Sequence, residues 1–165
     1  MRLEGSNSRT YLTVLGSLAI FFSTQHPCLG QETKVFNSEV KATAKITKTD
    51  AGKQTVTLTV FINHGWYIYA NPVQNPKDDY LKNQTVVRVN AKGKLSNVKI
   101  QFPAGELHEE FGDKYMIYHD KATIEVSVQR EVGDVSPLEV DLILNTCHLT
   151  EMKCLPKSQK KFFLP

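Results

Sequence analysis

Helical periodicity is missing from this chain: nowhere do apolar residues recur at helical spacing over a window of about eleven positions or more. That excludes a helical bundle and points away from sheets covered by helices. Blocks of like charge are missing too. The 20 Lys and Arg residues are interspersed with 17 Asp and Glu, a pattern that excludes a nucleic-acid-binding face. There are no internal repeats and no low-complexity segment. No apolar run is long enough to span a bilayer, since the longest, YLTVLGSLAIFF, is short and punctuated. Cysteine is scarce, with only three in 165 residues.

The apolar run has a different reading. Arg2 and Arg9 precede it, and Cys28 and Gly30 stand where a processing peptidase needs small residues. Residues 1 to 30 therefore read as a secretory signal peptide, with cleavage after Gly30 and Gln31 as the new N-terminus. A lipid anchor on Cys28 would need a Leu-x-Gly/Ala pattern upstream, and Gln25, His26 and Pro27 do not supply it. The remainder, residues 31 to 165, is one domain, periplasmic or secreted, with no stable membrane insertion after cleavage. It keeps two cysteines, Cys147 and Cys154. In an oxidising compartment an even count makes a disulfide between them the expected state.

What the chain has in quantity is period-two alternation. Val40, Ala42, Ala44 and Ile46 share one face, TDAGK makes a turn, and Val56, Leu58, Val60 and Ile62 return on one face. Val87 and Val89 precede the turn NAKGK; Val98, Ile100 and Phe102 follow it. Ile124, Val126 and Val128, then Leu138, Val140, Leu142 and Leu144, and finally Phe162 and Leu164 complete the series. Short alternating strands separated by turns predict an all-β, immunoglobulin-like β-sandwich. Two long irregular stretches are expected, Asn71 to Gln84 and Ala104 to Lys114, and long loops in such folds tend to carry function.

The cysteines lie in CHLTEMKC, Cys147 to Cys154, between the strand ending at Leu144 and the one holding Phe162. If those strands are neighbours, the cysteines face each other across a broad turn. Three readings are open. A structural staple closing so short a loop contributes about 2 to 3 kcal/mol by chain entropy, less than one spanning the sheets would. A Cu(I) site could draw on Cys147, His148, Met152 and Cys154, although the spacing fits no standard zinc pattern and His148 points away from Cys147 in extended backbone. A redox pair requires access and a tuned thiolate.

Two further stretches bear on that choice: NHGWYIYANP, Asn63 to Pro72, and ELHEEFGDKYMIYHDK, Glu106 to Lys121. Together with Cys147 to Pro156 they resemble the N-terminal periplasmic domain of the thiol:disulfide interchange protein DsbD, the disulfide bond corrector family. The resemblance runs from about Val40 to Leu164. It rests on Gly65 with Trp66, Tyr67 and Tyr69, the pair Glu109 and Glu110 followed by Phe111, then Ile117, Tyr118 and Asp120, and the two cysteines with proline two residues after the second.

The resemblance implies an immunoglobulin-like domain that relays electrons to or from thioredoxin-fold partners through mixed disulfides at Cys147 and Cys154, including partners in cytochrome c maturation. It implies Phe111 as a cap over the cysteine pair, Glu109 and Glu110 beside it, and Tyr67 and Tyr69 lining the site. It also implies that Cys154 forms the intermolecular bond and Cys147 resolves it. No cofactor, metal or nucleic acid is expected. The sequence as read ends at Pro165 without a membrane electron channel or a Cys-x-x-Cys domain, so a separate membrane donor is expected. A non-catalytic envelope binding module with a structural disulfide is the alternative.

Two departures stand out. Six residues separate the cysteines where the family pattern has five, and His148 is an addition at the site. A glycine also follows Phe111 directly, which loosens the backbone there.

Overall fold

The computed structural model describes residues 28–48 and 52–165, with side chains from residue 30 onward in the first segment. The expected leader up to residue 27, and residues 49–51 of the expected TDAGK turn, lie outside the described residues.

Alternating sequences become strands. In chain order they are β1 (Cys28–Val35), β2 (Val40–Lys48), β3 (Lys53–Ile62), β4 (Trp66–Tyr69), β5 (Val86–Ala91) and β6 (Leu95–Gln101). There follow β7 (Glu106–Glu110), β8 (Asp113–His119), β9 (Lys121–Arg130), β10 (Leu138–Leu144), β11 (Thr146–His148) and β12 (Ser158–Leu164). A six-residue helix, α1 (Asp78–Asn83), lies between β4 and β5. The strands form a five-stranded sheet in the order β1-β2-β3-β9-β6, a three-stranded sheet β12-β10-β5 and a four-stranded sheet β11-β4-β8-β7. The pairings are antiparallel throughout these sheets.

The result is the immunoglobulin-like sandwich that the alternation predicts. Ala42, Ala44, Ile46, Val56, Leu58, Ile124 and Val126 on one side meet Val140, Leu142, Phe162 and Leu164 on the other, all fully buried. Alternation does this because successive side chains of a strand point to opposite faces, so every second residue leaves water together. The polar residues between them, such as Thr43, Lys45, Thr57 and Thr59, line the outer face.

β1 begins at Cys28, with Gly30 opposite Ile46. The last three residues of the expected leader thus belong to a paired strand, and cleavage after Gly30 would leave β1 from residue 31. A second difference concerns the stretch Ala104 to Lys114, expected to be irregular. Most of it is β7 and the start of β8, a hairpin closed at Glu110 opposite Asp113. The alternation was hidden because the partly buried residues of β7 are the polar His108 and Glu110, while Leu107 is exposed.

Candidate disulfide-exchange site

The four-stranded sheet has two different faces. Ile68 and Tyr118 face the main core, whereas Tyr67, Tyr69, Tyr115, Ile117 and Cys147 form a second buried cluster on the other side. Register explains the grouping: Cys147 lies opposite Tyr67, Tyr69 opposite Ile117, and His108 opposite Tyr115. Directly opposed residues of an antiparallel pair share a face.

Cys147 and Cys154 are joined by a disulfide across an isolated antiparallel bridge, with Cα atoms 4.0 Å apart. Backbone bonds on either side fix it: Leu155 N–H donates to Thr146 O at 2.8 Å and His148 N–H to Lys153 O at 2.8 Å. The two sulfurs live in different surroundings. Cys147 is 1% exposed, sealed by the tyrosines, while Cys154 is exposed to solvent.

The Tyr69 hydroxyl lies 3.8 Å from Cys147 Sγ. A disulfide sulfur carries no proton, so the hydroxyl is the donor. Tyr67 and Tyr115 share a hydroxyl hydrogen bond of 3.0 Å, and Tyr115 donates to Glu110 Oε2 at 2.9 Å. Burial, reinforced by the bonds to Tyr115 and Tyr69, pushes the Tyr67 phenol far up, and burial likewise raises Tyr115. Both therefore remain protonated donors at neutral pH. A hydroxyl-lined path thus runs from the neighbourhood of the buried sulfur towards a carboxylate at the surface.

The hairpin carries the remaining residues. Phe111 at φ 52° and Gly112 at φ 80° make its two-residue turn, the doubly left-handed form that matches strand twist. A phenylalanine is an uncommon occupant of that region. Both shoulders of the turn are pinned: Glu110 by Tyr115, and Asp113 by Lys77 Nζ at 2.6 and 2.8 Å and by the Tyr80 hydroxyl at 3.0 Å. Those bonds hold the Asp113 carboxyl below its usual range, and burial with the Asp113 bond pushes Tyr80 up to about 12.

Of the residues singled out in the sequence, Cys147, Cys154, Tyr67 and Tyr69 come together directly. Glu110 reaches them through Tyr115. Glu109 does not, because strand alternation sends it to the other face, where it lies 3.5 Å from Lys114. Phe111 is 80% exposed at the hairpin tip, and Cys154 is exposed as well, so the ring does not seal the disulfide in this arrangement. His148 faces away from the sulfur and packs edge-on against Trp66, with ring centroids 5.0 Å apart. Met152 is 85% exposed. Among the described residues, no three His, Cys, Asp or Glu side chains are gathered as metal donors.

Three site residues escaped the sequence reading. Tyr115 sits at the centre of the cluster, with the tilted Tyr80 ring centred 4.6 Å and the His108 ring 5.2 Å from its own. His108 Nε2 is buried without a hydrogen-bond partner among the described residues. The signal for Tyr115 was its place two residues before Ile117 on the same strand face.

The family described as "Thiol:disulfide interchange protein DsbD, N-terminal" matches residues 38–165. Among solved structures, the N-terminal periplasmic domain of ScsB from Proteus mirabilis aligns with a TM-score of 0.60 at 18% identity, covering 82% of this chain and 50% of that one. This chain therefore spans half the length of that domain. The GAE domain of GGA2p from Saccharomyces cerevisiae aligns at 0.50 with 14% identity, over 82% of this chain and 98% of that one. The DsbD N-terminal domain of Neisseria meningitidis in its reduced form aligns at 0.49 with 20% identity, over 73% and 82%. At such identities structural likeness speaks to the fold alone. A comparison with curated protein sequences finds no match. The family match takes in both cysteines, the tyrosine strand and the hairpin, and on it this chain belongs to the DsbD N-terminal domain family.

Proposed function

We propose that this domain is an exported electron carrier that exchanges the Cys147–Cys154 disulfide with thioredoxin-fold proteins in the periplasm. The observation that carries the reading is the asymmetry of the bond, with one sulfur buried and hydrogen-bonded and the other open to solvent.

A reduced partner's thiolate attacks Cys154 Sγ, the sulfur within reach. The intramolecular S–S bond breaks as a mixed disulfide forms, and Cys147 leaves as a thiolate, its charge met by the Tyr69 hydroxyl. The partner's second thiolate then attacks its own sulfur in the mixed disulfide. It releases Cys154 as a thiolate, leaving the partner oxidised and this domain reduced by two electrons. Delivery to an acceptor runs the same steps in reverse, Cys154 attacking and Cys147 resolving. Glu110, joined to the cluster through Tyr115, supports proton exchange with solvent for the buried thiol. Phe111 at the tip of its hairpin serves as the movable cap, folding over Cys154 between encounters to exclude small thiols.

Trapping tests the assignment. Cys147→Ala should accumulate a mixed disulfide through Cys154 with an oxidised thioredoxin-fold protein, read by non-reducing electrophoresis and mass spectrometry. Cys154→Ala should accumulate far less, because its remaining thiol is buried. Equal trapping by both, or none by either, contradicts the assignment.

A further inference from the structure

We propose that His148 is a positioning residue for the disulfide: its unprotonated Nδ1 holds the turn that carries Cys154 back to Cys147, so that losing this acceptor shifts the pair towards the dithiol. The biological use of such a shift rests on the exchange reading above, but the chemistry does not.

The six residues between the cysteines are folded by a small set of bonds. Nδ1 of His148 accepts the Glu151 backbone N–H at 3.1 Å and lies 3.4 Å from Thr150 N. His148 N–H donates to Lys153 O and Leu149 N–H to Gly65 O, each at 2.8 Å. A backbone N–H can only donate, so Nδ1 must be a bare acceptor with the ring proton on Nε2. The imidazole acts as an Asn or Asp side chain does in an Asx turn, satisfying backbone donors two and three residues ahead. The Thr150–Glu151 step is thereby folded back against the Nδ1 edge of the ring.

The ring itself is fixed from outside the loop. Trp66 of β4 meets it at 89° between planes. A side chain at Gly65, where φ is 84°, would come within 3.4 Å of Nε2. Of the charged and titratable groups around it, the loop contributes Lys153, whose Nζ stands 5.5 Å from the Trp66 ring centre, and the exposed Glu151. The turn before β4 contributes the exposed His64, and Trp66 does not titrate. None of these replaces Nδ1 as an acceptor for the Glu151 N–H.

A turn ordered in the oxidised state keeps the two sulfurs at high effective concentration. Without its acceptor the equilibrium should move about fivefold towards the dithiol, the scale of one hydrogen bond. That equals roughly 20 mV, at about 30 mV per tenfold change.

The test equilibrates the whole protein with glutathione buffers at one neutral pH and counts thiols for wild type, His148→Ala, His148→Asn and His148→Gln. Asn places its oxygen where Nδ1 stands, whereas Gln places it where Nε2 stands. His148→Ala and His148→Gln should be about fivefold easier to reduce than wild type, and His148→Asn should match wild type within about twofold.

Should the Ala variant fail to fold, as judged by circular dichroism, the Asn and Gln pair carries the same comparison. An Asn variant that behaves like Gln, or a Gln variant that matches wild type, overturns the proposal. Glutathione equilibrium is defined for any disulfide. Failure of Cys147→Ala to trap a partner would therefore remove the carrier reading and leave this result standing, and the converse also holds.

Discussion

Leu58, Ile124, Leu142 and Phe162 fill the space between the two larger sheet faces with aliphatic and phenyl groups, whereas the cluster around Cys147 is built from Tyr67, Tyr69, Tyr80 and Tyr115, each carrying a hydroxyl. Both regions are dry, but they are held differently. The first gains from area removed from water, a non-directional term that sums over many contacts. The second must also satisfy the hydroxyls it buries, and it does so directionally: Tyr67 bonds Tyr115, which donates to Glu110, Tyr80 donates to Asp113, and Tyr69 lies beside the Cys147 sulfur. The difference teaches where chemistry can reside. A hydrocarbon core offers a sulfur nothing to donate or accept, while a hydroxyl cluster can meet the charge of a thiolate.

If that division is sound, the two regions can be broken separately. The largest effect is expected from Leu142→Ala in the main core, which should cost about 2 to 5 kcal/mol through lost burial and a cavity. Chemical denaturation should show this loss, while the folded protein's rate of exchange with a dithiol reductant stays within experimental scatter. Next, Tyr69→Phe should reverse the pattern. Unfolding free energy should change by no more than about 1 kcal/mol, because only the bonds of this hydroxyl to Cys147 Sγ and to Tyr67 are lost. Exchange should slow about fivefold, since the leaving Cys147 thiolate loses its donor. A Tyr69→Phe variant that is strongly destabilised but exchanges normally would erase the distinction.

The smallest effect sharpens the boundary of the site sheet. His119 Nε2 lies 2.8 Å from Glu106, and Nδ1 lies 2.8 Å from Asp120. These bonds, the Glu106 one foremost, raise the folded imidazole above its ordinary value near 6.5. A group raised in the folded state contributes its full stability below the unfolded pKa and loses it as pH rises through the folded one. With about a third of the side chain exposed, the contribution is a few tenths to 1 kcal/mol at most, roughly. His119→Gln should flatten the fall in stability on going upward from about pH 6.5, measured by denaturant titration at several pH values. An undiminished slope would assign it to another group.

The sandwich was legible because apolar residues recur at every second position through β2, β3, β9 and β10. The hairpin was not, for a physical reason. In β7 the inward residues are His108 and Glu110, which lie opposite Tyr115 and Asp113, while Leu107 points outward at 65% exposure. A strand that serves a polar cluster inverts the pattern by which strands are found. α1 is too short to show a period, and β1 reads CLGQETKV, with no apolar face to announce it. Tyr67 and Tyr69 were legible as a site because they precede a family-like order of motifs. Tyr115 and Tyr80 were not, since their roles depend on register and on the fold of the loop that carries α1.

The most direct measurement is the midpoint of the Cys147–Cys154 couple in the isolated protein, determined by quantifying thiols across a series of thiol redox buffers. A carrier whose buried sulfur is met by a tyrosine donor and whose other sulfur is open should titrate near about −200 mV. A midpoint well below about −300 mV, the range of structural bonds, would contradict the account.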